Sequence, residues 1–251
     1  MGILNLTPDS FSDGGKFNTP EKALERVEVM EKEGADMIDI GAESTGPGSK
    51  PVSVKEEINR LFPTLEEIRS KTSLPLSLDT YKSEVAEKAL SSNLVDMIND
   101  VGALRYDEHM ASVVRQYDVP IILMYAKDNS PRTSIREQEY PDVIQELKKF
   151  FRERISYCER QGISKEKIII DPGMGHFVSA NPRYSFEIIN RLSELRELDC
   201  PILIGMSRKS FLGGDLESRG HKEEALSIMA HLNGVSILRT HHVGGLNFPE
   251  K

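Results

Sequence analysis

The chain has 251 residues, with 32 Lys and Arg against 40 Asp and Glu, for a formal charge of -8. That length holds one barrel or one to two ordinary domains and buries a full core without disulfide or metal staples, while the acidic balance argues against a nucleic-acid protein, which carries a basic patch or domain. The 38% hydrophobic content, roughly 45% once the 18 glycines are added, is that of an ordinary globular protein, no apolar run approaches the ~18 residues of a membrane span, and no basic leader followed by an apolar stretch marks a secretory signal.

Taken in order, short apolar runs alternate with polar loops and helical patterns. The first run is Gly2-Ile3-Leu4-Asn5-Leu6, followed by a loop with Pro8, Gly14 and Gly15. Thr19-Pro20 then reads as an N-cap and first turn. The helix they open carries Ala23, Leu24, Val27 and Met30 on one buried face, and Gly34 ends it. A second run at 37–40 precedes a Gly/Pro loop and a helix expected near 54–71. Further runs stand at 75–78, 95–98, 120–124, 167–170, 201–204 and 235–238. Eight strand candidates with helices between them predict an α/β chain folded as one (β/α)8 TIM barrel domain over 1–251, with a doubly wound sheet as the alternative. The two cysteines, Cys158 and Cys200, are far apart. They exclude a disulfide scaffold and a CxxC zinc site, and as free thiols they fit a reducing cytoplasm.

A barrel does its chemistry at the C-terminal ends of its strands. The runs end at Asn5, Asp39 with Glu43, Asp79, Asn99 with Asp100, Tyr125, Asp171, Ser207 with Lys209, and Arg239 with His241. An Asp after a strand is usually a turn former or helix cap. Caps do not explain Lys209, Arg239 and His241. Lys and Arg hold phosphate charge, and Asp and Asn read ring N–H groups and carbonyls. The set therefore predicts an enzyme acting on a small, anionic, polar heterocycle. His109, His221 and His231 are scattered and lack zinc-site spacing, whereas His176 stands in a candidate site loop.

The strings MGILNLTPDSFSDGGKF at 1–17, GAESTGPGS at 41–49, SLDTYK at 77–82, IND at 98–100, DPGMG at 171–175, GMSRKSFLG at 205–213 and LRTHHV at 238–243 resemble, in order, the motifs of dihydropteroate synthases. Related methyltetrahydrofolate methyltransferases share a pterin-binding barrel, but SRKSF is not their pattern. The resemblance implies a transferase of folate biosynthesis. It would condense 6-hydroxymethyl-7,8-dihydropterin diphosphate with 4-aminobenzoate, releasing diphosphate. It implies Mg2+ as cofactor with Asn5 as its ligand, and Asp79, Lys209, Arg239 and His241 as catalytic residues. Arg239 and His241 would hold the diphosphate. Asp79, Asn99 and Asp171 would bind the pterin, and Lys209 would lie between pterin and acceptor. Thr45, Pro47 and Ser207 would line the aminobenzoate site, where Phe177 is also expected. Met124, Gly175 and Arg208 complete the expected contacts. The loops at 7–18 and 41–53 are expected lids, with Asp9, Ser10 and Phe11 closing over the site. The family's habit is the homodimer, with no nucleic-acid or membrane partner.

This chain departs from the family at identifiable places. STRPG becomes Ser44-Thr45-Gly46-Pro47-Gly48, which removes an Arg. DPGxGFGK loses its Lys, and Gly175 is followed by His176 and Phe177. HDV becomes His241-His242-Val243. The altered acceptor side leaves open two alternatives, a non-catalytic pterin-binding paralogue and a transferase with another arylamine acceptor. Too few residues follow Thr240 for a full eighth helix, so a partner chain or a further segment is expected to cover that gap.

Overall fold

Strands β1 Gly2–Asn5, β2 Ile38–Gly41, β3 Leu76–Asp79, β4 Met97–Asp100, β5 Ile121–Met124, β6 Ile168–Asp171, β7 Leu203–Ile204 and β8 Ile237–Leu238 ring a common axis in a computed structural model that describes residues 1–7 and 19–246. Every pairing is parallel. β1 to β6 pair in sequence order, and β7 pairs with β8. Two single bridges, Ile170 to Ile202 and Gly2 to Thr240, join these sheets. At the second seam Ile3 N–H donates to Thr240 O (2.9 Å) and Thr240 N–H donates to Met1 O (3.0 Å). The last strand thus returns to the first, and the closed ring is a (β/α)8 barrel.

Helices α1 Pro20–Lys32, α2 Val54–Lys71, α3 Ser83–Ser91, α4 Met110–Tyr117, α5 Val143–Arg160, α6 Arg183–Asn190 and α7 Leu216–Leu232 form the outer layer. Their starts follow the sequence chemistry. The hydroxyls of Thr19 and Ser53 and the carboxylates of Asp142 and Asp215 accept from first-turn N–H groups of α1, α2, α5 and α7. Among the described residues no α-helix follows β8. A 3-10 turn, Val243–Gly245, stands there instead. The expected lid residues Asp9, Ser10 and Phe11 lie outside the described residues.

Side chains alternate across each strand, so every second residue faces the axis. Outward positions such as Leu4, Ile38, Ile40, Leu78, Ile98, Ile121 and Ile170 join the helices in one large apolar cluster. Each such burial contributes about 1.5–3 kcal/mol. Inward positions at the lower level form a separate plug of Met1, Met97, Ile122, Ile169 and Leu203, with Met37 and Ile237 packed against it. Two residues further along the same chain segments stand Asp39, Asn99, Met124, Asp171 and Arg239. The polar layer thus rests directly on an apolar floor.

Candidate active site

Arg239 ties three strands together at the centre of the mouth. Asp39 Oδ2 lies 2.6 Å from its Nε, and Asp79 Oδ2 lies 2.9 Å from its terminal nitrogen. Asp39 also accepts from Asn99 Nδ2 at 3.1 Å. Asp39 is wholly buried, and 28% of the Asp79 side chain remains accessible from the mouth. Burial, and next the charge of Asp39, push the Asp79 carboxyl up to about 7 despite the opposing pull of Arg239. The same carboxylates hold Arg239 firmly in its charged form, against burial.

Across the axis Asp171 faces Lys209. Asp171 Oδ1 accepts from Gly173 N–H at 2.8 Å, and burial raises its pKa while Lys209 opposes the rise. Gly173 has φ +67°, and a Cβ there would sit 2.4 Å from the Tyr125 carbonyl oxygen, so only glycine allows this turn. Burial lowers the Lys209 ammonium to about 8, with Asp171 and Asp79 opposing. Its Nζ lies 5.2 Å from the centre of the Phe177 ring and donates to Met174 O at 3.4 Å. Gly175 packs under the same lysine, and a side chain there would start 3.9 Å from Lys209 Cβ. Met124, the register partner of Asp171, is buried beside it.

A third group lies where β1, β7 and β8 meet. His241 Nδ1 is 2.9 Å from Ser207 Oγ, which also accepts from the His241 backbone N–H at 3.1 Å. Asn5 Nδ2 lies 3.4 Å from His241 Nε2. Burial and the neighbouring cations, first Arg208 and Arg239, hold His241 well below its ordinary pKa, so its imidazole is neutral at pH 7. Arg208 has a left-handed backbone (φ 60°), and its guanidinium lies 3.4 Å from His242 Nε2. Among the described residues no group of three or more His, Cys, Asp or Glu is placed to hold a metal ion. Asn5 offers a single hard amide oxygen. That suits Mg2+, which keeps most of its shell as water and substrate phosphate.

The loop after β2 is tied down. Glu43 accepts from Tyr81 OH (3.1 Å) and Val52 N–H (3.3 Å), and pairs with both Lys82 and Arg132. Lys82 also pairs with Glu57, which accepts from Thr80 Oγ1 at 2.8 Å. Thr45 O accepts from Thr133 N–H at 3.1 Å, so the loop after β5 braces the segment that carries Thr45 and Pro47. Beside Lys209, His176 Nε2 lies 3.0 Å from Ser210 Oγ.

The fold therefore brings Asp79, Asn99, Asp171, Lys209, Arg239, Ser207, His241 and Asn5 to one mouth, with Thr45 and Pro47 on the adjoining loop. Two other run-ending residues face away from it. Asp100 accepts from Gly102 N–H (2.7 Å) and Leu104 N–H (2.8 Å) and builds a turn, and its burial raises it to about 6. Tyr125 packs outward against Phe150 and meets Tyr140 OH at 3.1 Å. Sequence reasoning missed the Glu43–Lys82–Glu57–Arg132 network and the His176–Ser210 pair, because these partners are distant in the chain. Asp39 did carry a signal, since an acid inside an apolar run must find a partner.

A profile of pterin binding enzymes matches residues 1–241. A Synechocystis dihydropteroate synthase is 39% identical over 248 residues, 97% of this chain and 84% of that protein. The Yersinia pestis dihydropteroate synthase, solved as a sulfonamide drug complex, superposes with a TM-score of 0.92 at 34% identity, covering 98% of this chain and 89% of that one. The Xanthomonas albilineans dihydropteroate synthase, solved with 4-aminobenzoic acid, gives a TM-score of 0.88 at 38% identity, covering 98% and 88%. The chain belongs to the pterin-binding enzymes, in their dihydropteroate synthase family.

Proposed function

We propose that this mouth joins 6-hydroxymethyl-7,8-dihydropterin diphosphate to 4-aminobenzoate, giving 7,8-dihydropteroate and diphosphate. The observation that carries the reading is the Asp79–Arg239–Asp39–Asn99 lattice facing Asp171 and Lys209 over an apolar floor. Such a site offers acceptors for ring N–H groups and cations for a polyanion. Asp79, Asn99 and Asp171 take the pterin edge. Lys209, stacked on Phe177, stands between the pterin and the acceptor.

The reaction breaks the methylene C–O bond, and its electron pair leaves with the diphosphate. The aniline nitrogen forms the new C–N bond and sheds a proton. Charge therefore grows on the leaving oxygens, and Arg239, Lys209 and His241 are the groups available to stabilise it. Mg2+, held by Asn5 and the diphosphate, would add Lewis-acid stabilisation of that leaving group. No covalent enzyme intermediate is needed, because positioning a competent nucleophile supplies much of the rate. Thr45, Pro47, Ser207 and Phe177 flank the acceptor in this reading.

The whole chain acts here as one barrel domain in a reducing cytoplasm. Its two buried free cysteines, Cys158 and Cys200, fit that setting. No helix among the described residues is long and apolar enough to cross a membrane. A homodimer is supported by exposed apolar side chains on adjacent helices, Phe186 on α6 and Ile228, Met229 and Leu232 on α7. The reading is tested by incubating the protein with both substrates and Mg2+ and measuring 7,8-dihydropteroate. Product that disappears in Asp171→Asn supports it, and pterin binding without product overturns it.

A further inference from the structure

We propose that Asp39 is a positioning residue for this reaction, fixing the Arg239 guanidinium and the Asn99 amide beneath the pterin without touching substrate itself. The proposal rests on the functional reading above. Asp39 is 0% exposed, so its action must pass through other side chains. Its Oδ2 lies 2.6 Å from Arg239 on the segment after β8 and 3.1 Å from Asn99 Nδ2 on β4, so one oxygen spans the barrel between strands that are not neighbours. Its Oδ1 is buried and has no hydrogen-bond partner among the described residues. A carboxylate buried in this way would be unfavourable without a cation, and Arg239 is the cation that pairs with it.

The geometry has two consequences. First, Arg239 is gripped on one side by Asp39 and on another by Asp79, so its planar fork is oriented before any ligand arrives. The Asn99 amide is fixed in the same way, with its nitrogen committed to Asp39. Second, Asp39 places a negative charge behind Asp79. The charged groups that act on Asp79 are Asp39 on β2, Arg239 after β8, Glu57 on α2 and Asp100 on β4, and Lys209 feels Asp79 in turn. Asp39 is the strongest of these charges, and it favours protonation of Asp79.

The test compares Asp39→Asn with Asp39→Ala. Asn keeps the size and one acceptor oxygen, whereas Ala removes both charge and grip. The expected result is at least a tenfold rise in KM for the pterin diphosphate in the Ala variant, with KM for 4-aminobenzoate little changed. The Asn variant should recover most of that loss. It should also move the acid limb of the kcat/KM profile to lower pH than in the wild type, because Asp79 has lost a like-charged neighbour. A packing role alone would not move that limb. Unchanged KM in the Ala variant, an unmoved limb in the Asn variant, or loss of the folded state in both would each overturn the proposal. Equilibrium binding of the pterin diphosphate alone is measured on the same proteins. If the wild type binds it but makes no product, the functional reading fails, and the binding loss in Asp39→Ala still decides the role of Asp39.

Discussion

Arg239 and Asp79 meet at 2.9 Å, yet Arg239 is shared with Asp39, so two carboxylates depend on one guanidinium. The folded protein therefore carries an excess of buried negative charge at its mouth.

This excess should appear in stability. The Asp79 pKa is raised from 3.8 to about 7 by folding. Between those values the folded state holds more protons than the unfolded chain, so this group makes stability fall as pH rises from about 4 to about 7. Asp79→Asn removes the excess charge and leaves Arg239 paired with Asp39. The variant should melt higher than the wild type at pH 8, with a gain of about 1 kcal/mol or more. The gain should vanish near pH 4, and binding of the pterin diphosphate should be lost. Thermal melts at the two pH values check this.

The pH profile of turnover should be narrow. Asp79 accepts ring N–H bonds most strongly when ionised, so kcat/KM for the pterin diphosphate should fall below about pH 7. Lys209 stabilises the diphosphate only when protonated, and its pKa near 8 should set the basic limb. A profile flat from pH 6 to pH 9 would show that neither group titrates as described.

Gly46 stands where the family carries Arg. A Cβ at Gly46 would meet only Ser44 Oγ, at 3.5 Å, an ordinary contact. Gly46→Arg should fold normally and return a cation to the diphosphate side. A charge-assisted hydrogen bond contributes about 1.5–3 kcal/mol, so KM for the pterin diphosphate should fall at least tenfold. Affinity for the pterin alcohol, which lacks the diphosphate, should stay constant.

In the proposed reading the His176–Ser210 contact belongs to the wall that meets the acceptor. Burial and the charges of Lys127 and Lys209 lower the His176 pKa, so its ring is neutral at pH 7. His176→Phe unpairs Ser210 and should raise KM for 4-aminobenzoate several-fold, in line with about 1 kcal/mol per hydrogen bond. KM for the pterin diphosphate should not move. Steady-state kinetics with each substrate varied in turn separates the two effects.

The barrel was legible because strands buried on both faces read as short, mostly apolar runs at regular spacing. All eight runs became strands, and Thr19 caps its helix as the sequence predicts. Which way a strand end faces was harder to read. Asn99 and Asp100 are adjacent, yet Asn99 enters the mouth and Asp100 folds a turn outside it. A side-chain period of two makes this a matter of register, which an apolar run does not mark. Loop bracing was not legible either. Glu43 meets Arg132 across 89 positions, and nothing local in either segment announces the pair.

Diphosphate release from the pterin diphosphate in the presence of Mg2+, measured with and without 4-aminobenzoate, decides whether this barrel is a synthase. Release should require 4-aminobenzoate and be abolished in Lys209→Ala and Asp79→Ala. Release that is absent in the wild type, or that proceeds equally without the acceptor, would show that the chain does not catalyse this condensation.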